Sequence, residues 1–95
     1  MAAFVMIGKY SLDAMEGISA QRTDQAVALI AKYDGKLDAA YGLLGKYDLL
    51  LVTDFPDVQK AMKASVALSK SMAISFITSP AVDVAEFDKL MEGIG

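Results

Sequence analysis

Few side chains in this 95-residue chain could do chemistry. Asp48, the tyrosines Tyr10, Tyr41 and Tyr47, and the single arginine, Arg22, are the candidates. Asp48 opens the apolar run Leu49-Leu50-Leu51-Val52 and shares a strand face with Leu50 and Val52. An unpaired carboxylate one residue inside such a strand is costly, so two placements are open. Either it lies at the sheet rim and accepts backbone N–H groups of the adjoining turn, or it points into a cavity and holds a ligand or a proton. Tyr10 and Tyr41 stand near strand ends, each with a ring that can pack and a hydroxyl that can reach water or a ligand. Tyr47 reads first as a strand aromatic packing across to its neighbours. Arg22 enters the main helix and is expected to pair with Asp24 or Asp13 at the surface. The sharper alternative is a clamp for a carboxylate ligand, to which the planar guanidinium is well suited.

What is missing narrows the chemistry further. The chain has no His and no Cys. An imidazole base, a Ser–His–Asp triad, a thiol nucleophile and His- or Cys-ligated metals are therefore excluded. No acidic loop resembles a calcium or magnesium site, so neither a metal nor a cofactor is expected. The methionines Met6, Met15, Met62, Met72 and Met91 sit at apolar-face spacing and read as core packing. Net charge is −3, and the nine basic residues form no stripe of the kind that displaces counterions from nucleic acid. Lys60, Lys63 and Lys70 read as a solvated helix face. The apolar runs are far shorter than the ~18 residues a bilayer span needs. With no signal segment legible either, the expected setting is the cytoplasm, with no membrane contact.

The elements that must position these groups follow from periodicity. A strand is expected over 3–10, then a short turn capped by Ser11 and running to Met15. A helix begins near Thr23-Asp24, with Ala26, Val27, Leu29, Ile30 and Tyr33 as its apolar stripe. It ends at Gly35, placed where a left-handed cap would sit. A second strand runs over 36–44, with Leu37, Ala39, Tyr41 and Leu43 on one face, and Gly45-Lys46 makes a tight connection. A third strand covers 47–55. Asp57, after Pro56, caps a helix carrying Val58, Met62, Ser65, Val66 and Leu68, which stops near Ser69-Lys70. A fourth strand spans 72–78 and ends at Ser79-Pro80. A last amphipathic helix covers 83–91, with Val84, Phe87, Leu90 and Met91 on one side, before Gly93 and Gly95 fray the end.

The order β-α-β-β-α-β with a terminal helix is the split-βαβ, ferredoxin-like α+β arrangement: one antiparallel sheet with two helices on one face. Residues 1–95 are expected to form one domain. The strands are apolar on both faces, as in Leu49, Leu51 against Leu50, Val52. An antiparallel sheet with one wet face should alternate. A hydrophobic content of 55% against 22% charged residues is high for so small a monomer. A second copy covering the open face is the expected answer, giving a homodimer or a higher homo-oligomer.

Several short motifs carry a family resemblance. They are Ile7-Gly8-Lys9-Tyr10 closing the first strand, Tyr33-Asp34-Gly35-Lys36-Leu37, Tyr41 before the turn, Gly45-Lys46-Tyr47-Asp48-Leu49, and Asp54-Phe55-Pro56-Asp57. On these, over nearly its whole length, the chain resembles the GYD domain family, grouped with the dimeric α–β barrels. The resemblance implies a ferredoxin-like protomer whose open sheet face packs on a partner's, and it implies little about activity. More distantly, the Gly-x-Tyr-Asp at a strand entry is similar to that of the effector-binding domains of leucine-responsive-type regulators. Those domains bind amino acids at subunit interfaces. The DNA-binding helices of such regulators have no counterpart here.

Three functions compete on this reading. First stands a non-enzymatic, homo-oligomeric module that binds or senses a small molecule through Tyr10, Arg22, Tyr41, Tyr47 and Asp48, beside the turn Gly45-Lys46. Second is a structural or partner-binding assembly subunit. Third is a cofactor-independent isomerase or monooxygenase, with Asp48 as base and Tyr10 or Tyr41 orienting an enolate or phenolate.

Overall fold

A computed structural model describes residues 1–94, so Gly95 lies outside the described residues. Eight elements follow in order: β1 Ala2–Tyr10, α1 Leu12–Glu16, α2 Ala20–Lys32, β2 Lys36–Gly42, β3 Leu49–Phe55, α3 Val58–Met72, β4 Ile74–Ala81 and α4 Val84–Leu90. The strands form one antiparallel sheet in the order β2-β3-β1-β4. This is the ferredoxin-like α+β arrangement, with α2 and α3 on one face and the short α1 inserted after β1.

Alternation along the central strands sorts side chains between the two faces. Phe4 and Met6 of β1 and Leu51, Thr53 and Phe55 of β3 point toward the helices and are buried. There they meet Ala26 and Ile30 of α2 and Ala61, Ala64, Leu68 and Met72 of α3. Phe4 and Phe55 pack edge to face with centroids 6.0 Å apart. Thr53 is the one buried polar side chain among the described residues, and its hydroxyl donates to the Phe4 carbonyl at 2.9 Å. The opposite face carries Val5, Ile7, Leu50, Val52 and Ile77, none of them buried by the protomer.

Several boundaries and phases differ from the sequence expectation, each for a physical reason. Helix α2 starts earlier, because the Ser19 hydroxyl accepts the Arg22 N–H and serves as its cap. The left-handed residue after it is Asp34, at φ 63°, rather than Gly35. Gly35 is required for space instead, since a Cβ there would stand 2.3 Å from Phe55 Cε1. In β2 the register shifts between Leu37 and Ala39. That bulge at Asp38 turns Leu37 toward the helices while Ala39 and Tyr41, opposite Val52 and Leu50, face the open side, so these residues do not share one face. Strand β4 runs on through Pro80 to Ala81, which is tolerated because β4 is an edge strand.

The largest difference is the phase of α3. Its buried face is Ala61, Ala64, Leu68 and Met72, whereas Val58, Met62 and Val66 point outward. Small alanines let the helix backbone lie close on the sheet, and the bulkier stripe turns away. Only Met6 and Met72 of the methionines are core residues; Met15, Met62 and Met91 are exposed.

Candidate functional site

At the end of the sheet where β1 finishes and β3 and β4 begin, α2 stands off the strands and leaves a cavity of about 70 Å³. Its walls are mostly apolar: Ile18, Ala26, Leu37, Leu49, Leu51, Met72 and Ile74. Its polar groups are Tyr10, Ser19, Arg22 and Thr23. Local sequence explains the arrangement. Tyr10 is the last residue of β1 and shares the helix-facing side with Phe4 and Met6. Ser11 caps α1 by accepting the Ala14 N–H, and Ser19 caps α2, so the chain doubles back and brings Arg22 over Tyr10. The guanidinium lies 5.0 Å from the Tyr10 ring centroid, a cation–π contact.

Arg22 does not pair with Asp24 or Asp13, as expected from the sequence. It forms no ion pair among the described residues. Its Nη1 donates instead to the Ala14 carbonyl in the middle of α1, which fixes the side chain while leaving its charge uncompensated. A guanidinium has five donors, this bond uses one of them, and Arg22 lines the cavity.

Asp48 sits at the rim. Its Oδ2 accepts the Tyr10 backbone N–H at 2.8 Å, and Lys9 Nζ lies 3.8 Å away. The partner is thus a strand amide on β1 rather than an amide of the turn. The bond ties the entry of β3 to the end of β1 and holds Tyr10 in place beneath Arg22. The β2–β3 connection is longer than the tight turn expected at Gly45-Lys46, since residues 43–48 lie between the two strands. The Leu43 N–H donates to the Asp48 carbonyl at 2.8 Å and closes the loop. Gly45, at φ 125°, supplies a conformation other residues rarely adopt. Lys46 Nζ lies 5.7 Å over the half-buried Tyr47 ring, at the outer side of this loop. Tyr41 does not line the cavity; it is exposed on the open face opposite Leu50.

The structure therefore divides the sequence candidates. Tyr10 and Arg22 meet at one cavity, Asp48 positions Tyr10 from the rim, Gly45, Lys46 and Tyr47 shape the loop, and Tyr41 belongs to the other face. A second acidic site escaped the sequence reading. Asp54 on β3 lies beside Asp38 at the β2 bulge, and its carboxyl is raised above the usual value of 3.8. A hydrogen bond with Asp38 is the main cause, followed by partial desolvation and the Asp38 charge; Lys36 and the N-terminus act in the opposite direction. The bulge that brings the two together has no signature in the composition of β2. Among the described residues no group of acidic side chains could hold a metal ion, and no helix is long and apolar enough to cross a membrane.

Comparison with known proteins supplies a family and a fold. The family model of the GYD domain matches residues 4–91. Among solved structures, the chain is similar to the Mycobacterium tuberculosis leucine response regulatory protein (LrpA), with a TM-score of 0.58 and 6% identity. That match covers 87% of this chain and 51% of the other. A second structure, described only as a glutamate-to-alanine mutant, gives a TM-score of 0.57 at 7% identity, with the same coverage of 87% and 51%. The chain spans about half the length of both, and at these identities the likeness is one of fold. No curated protein matches the chain.

Proposed function

The chain belongs to the GYD domain family, and from that premise we propose that it is a non-enzymatic binding or sensing module for a small anionic molecule, working as a homodimer. The observation that carries this reading is the uncompensated Arg22 guanidinium held over Tyr10 at the mouth of an apolar cavity. A fixed cation above an apolar pocket suits a carboxylate with a short aliphatic tail. The cavity of about 70 Å³ is half the roughly 150 Å³ that accepts benzene, so the tail is short. Ser19 lines the same mouth, and because its hydroxyl oxygen only accepts the Arg22 N–H its proton is left for a carboxylate oxygen, whereas the Thr23 hydroxyl donates to the Ser19 carbonyl.

Asp48 holds Tyr10 in this reading and has no chemical step of its own, since one of its oxygens is engaged by a backbone amide. That engagement weighs against a general base, which must be free to take a proton from substrate. The dimer is supported by the open face. Val5, Ile7, Leu50, Val52 and Ile77 form a contiguous apolar surface that no element of the protomer covers, and a second copy offers the matching surface. The likeness in fold to part of a leucine response regulatory protein agrees with a sensing role.

Calorimetric titration with a series of short aliphatic carboxylates, and with the corresponding alcohols as neutral controls, tests the reading. A carboxylate binds and its alcohol does not. Arg22→Met weakens that binding by roughly tenfold to a hundredfold, the worth of a charge-assisted pair of hydrogen bonds at about 1.5–3 kcal/mol. Equal binding to wild type and Arg22→Met would remove the site from the cavity mouth.

A further inference from the structure

Helix α4 is amphipathic and has no home on its own protomer. Its apolar residues Val84, Phe87 and Leu90, followed by Met91, are all exposed, Phe87 at 50% and Val84 at 74%. It packs closely on no other element. Phe87 lies near Ala2 and Ala3 at the start of β1 and near Pro80 and Ala81 at the end of β4. A helix of 7 residues with an apolar stripe in water is not stable by propensity alone, so the stripe needs a surface.

A surface of matching form lies on α3. Val58, Met62 and Val66 repeat at i, i+4 and i+8 and are all exposed. Beside them, between α3 and the edge strand β4, runs an apolar groove of about 280 Å³, floored by Phe4 and walled by Pro80. The stripe of α3 is about 12 Å long at 1.5 Å per residue, and that of α4, from Val84 to Met91, is about 10 Å.

Charge distinguishes this pairing from others. Helix α3 contains Lys60, Lys63 and Lys70 and no acidic residue. Lys60 is committed to Asp34 at 3.4 Å, but Lys63 and Lys70 form no ion pair among the described residues. The α4 segment carries Asp83, Glu86, Asp88 and Glu92 against the single Lys89. None of these four carboxylates has a cationic partner among the described residues. A basic helix with an exposed apolar stripe thus stands unpaired in the same chain as an acidic one. Two residues, Val82 and Asp83, join β4 to α4, and this short link holds Phe87 beside Ala2, Ala3 and Ala81, in a contact that no α3 residue lines.

We propose that α4 of one copy docks on α3 of a second copy. Phe87 enters the groove between α3 and β4, and the α4 carboxylates face Lys63 and Lys70. An aromatic anchor in a groove with charges at its rim is a common economy of helix recognition. The contact uses a surface different from the open sheet face and needs no ligand, so it stands or falls separately from the proposed binding function.

The test uses the unaltered chain. An isotope-labelled and an unlabelled preparation are mixed, equilibrated through dilution and reconcentration, and treated with a carbodiimide that joins carboxylates to lysine amines. Peptide mass spectrometry then reads the isotopic parentage of each linked pair. The expected result is links from residues 83–92 to Lys63 or Lys70 in hybrid labelled–unlabelled pairs, falling several-fold at about 1 M salt, where the Debye length is about 3 Å. Phe87→Asp, at an exposed position, is expected to remove these links while its circular dichroism and melting stay close to those of the parent chain. Links confined to single-isotope pairs would place α4 on its own α3 and overturn the proposal. So would an absence of links between these segments, or links that Phe87→Asp leaves unchanged.

Discussion

Asp48 accepts the Tyr10 N–H, Tyr10 lies under Arg22, and Arg22 is held by the Ala14 carbonyl. This chain of contacts runs from the residue before β3 to the middle of α1, and each member is fixed by the next. The same economy of space appears at Gly35, where the Phe55 ring lies directly against the backbone. Gly35→Ala forces the ring or the strand to move and is expected to cost about 1–3 kcal/mol, as overpacking does. Gly42→Ala is the control. Nothing stands within 4 Å of the added methyl, so reduced freedom of the unfolded chain leaves it neutral or slightly stabilising. Urea unfolding of the two variants checks the contrast. Gly35 is visible in the sequence as a glycine near a helix end, and that pattern suggests a cap. Its actual partner lies twenty residues away in sequence at Phe55, and no local pattern encodes such a contact.

At the scale of elements, the bulge in β2 and the phase of α3 decide which groups meet. The bulge sets Asp38 beside Asp54 and raises the Asp54 carboxyl. The folded chain therefore holds a proton on Asp54 at pH values where the unfolded chain has lost it. The contribution to stability is fully present below the unfolded value of 3.8 and is lost as pH rises through the raised folded value. At neutral pH the two carboxylates repel, relieved in part by Lys36 and the N-terminus. Asp54→Asn is expected to raise the melting temperature at pH 7 relative to the parent and to flatten the fall in stability just above the ordinary carboxylate range. Melting curves across pH 3–7 read both effects. The helix α3 carries two apolar sets at helical spacing, and periodicity alone favours the bulkier one. The sheet meets the alanine face, whose small side chains let helix and strands pack closely.

At the scale of the molecule, the open sheet face and the stripes of α3 and α4 are apolar surfaces that the protomer leaves uncovered. For the first, Ile77→Glu is the direct probe. Ile77 is 52% exposed and sits on an edge strand, so folding of the protomer changes by no more than about 0.5 kcal/mol. If the proposed dimer forms through this face, a carboxylate placed there is expected to weaken it roughly tenfold or more. Native mass spectrometry over a dilution series measures the shift toward monomer. A dimer of unchanged strength would move the contact away from this face.

The sequence by itself determined the order and kind of the main elements, the ferredoxin-like architecture, the capping residues Ser11 and Asp57, and the absence of imidazole and thiol chemistry. These follow from local periodicity, capping and composition, which each segment carries within itself. Only the tertiary structure decided which apolar residues of α3 face the sheet, that Arg22 meets Tyr10 rather than Asp13 or Asp24, and that Asp38 stands beside Asp54. Those outcomes depend on the volume left between packed elements and on a one-residue shift in strand register. Both are properties of several segments at once, and neither is written in any one of them.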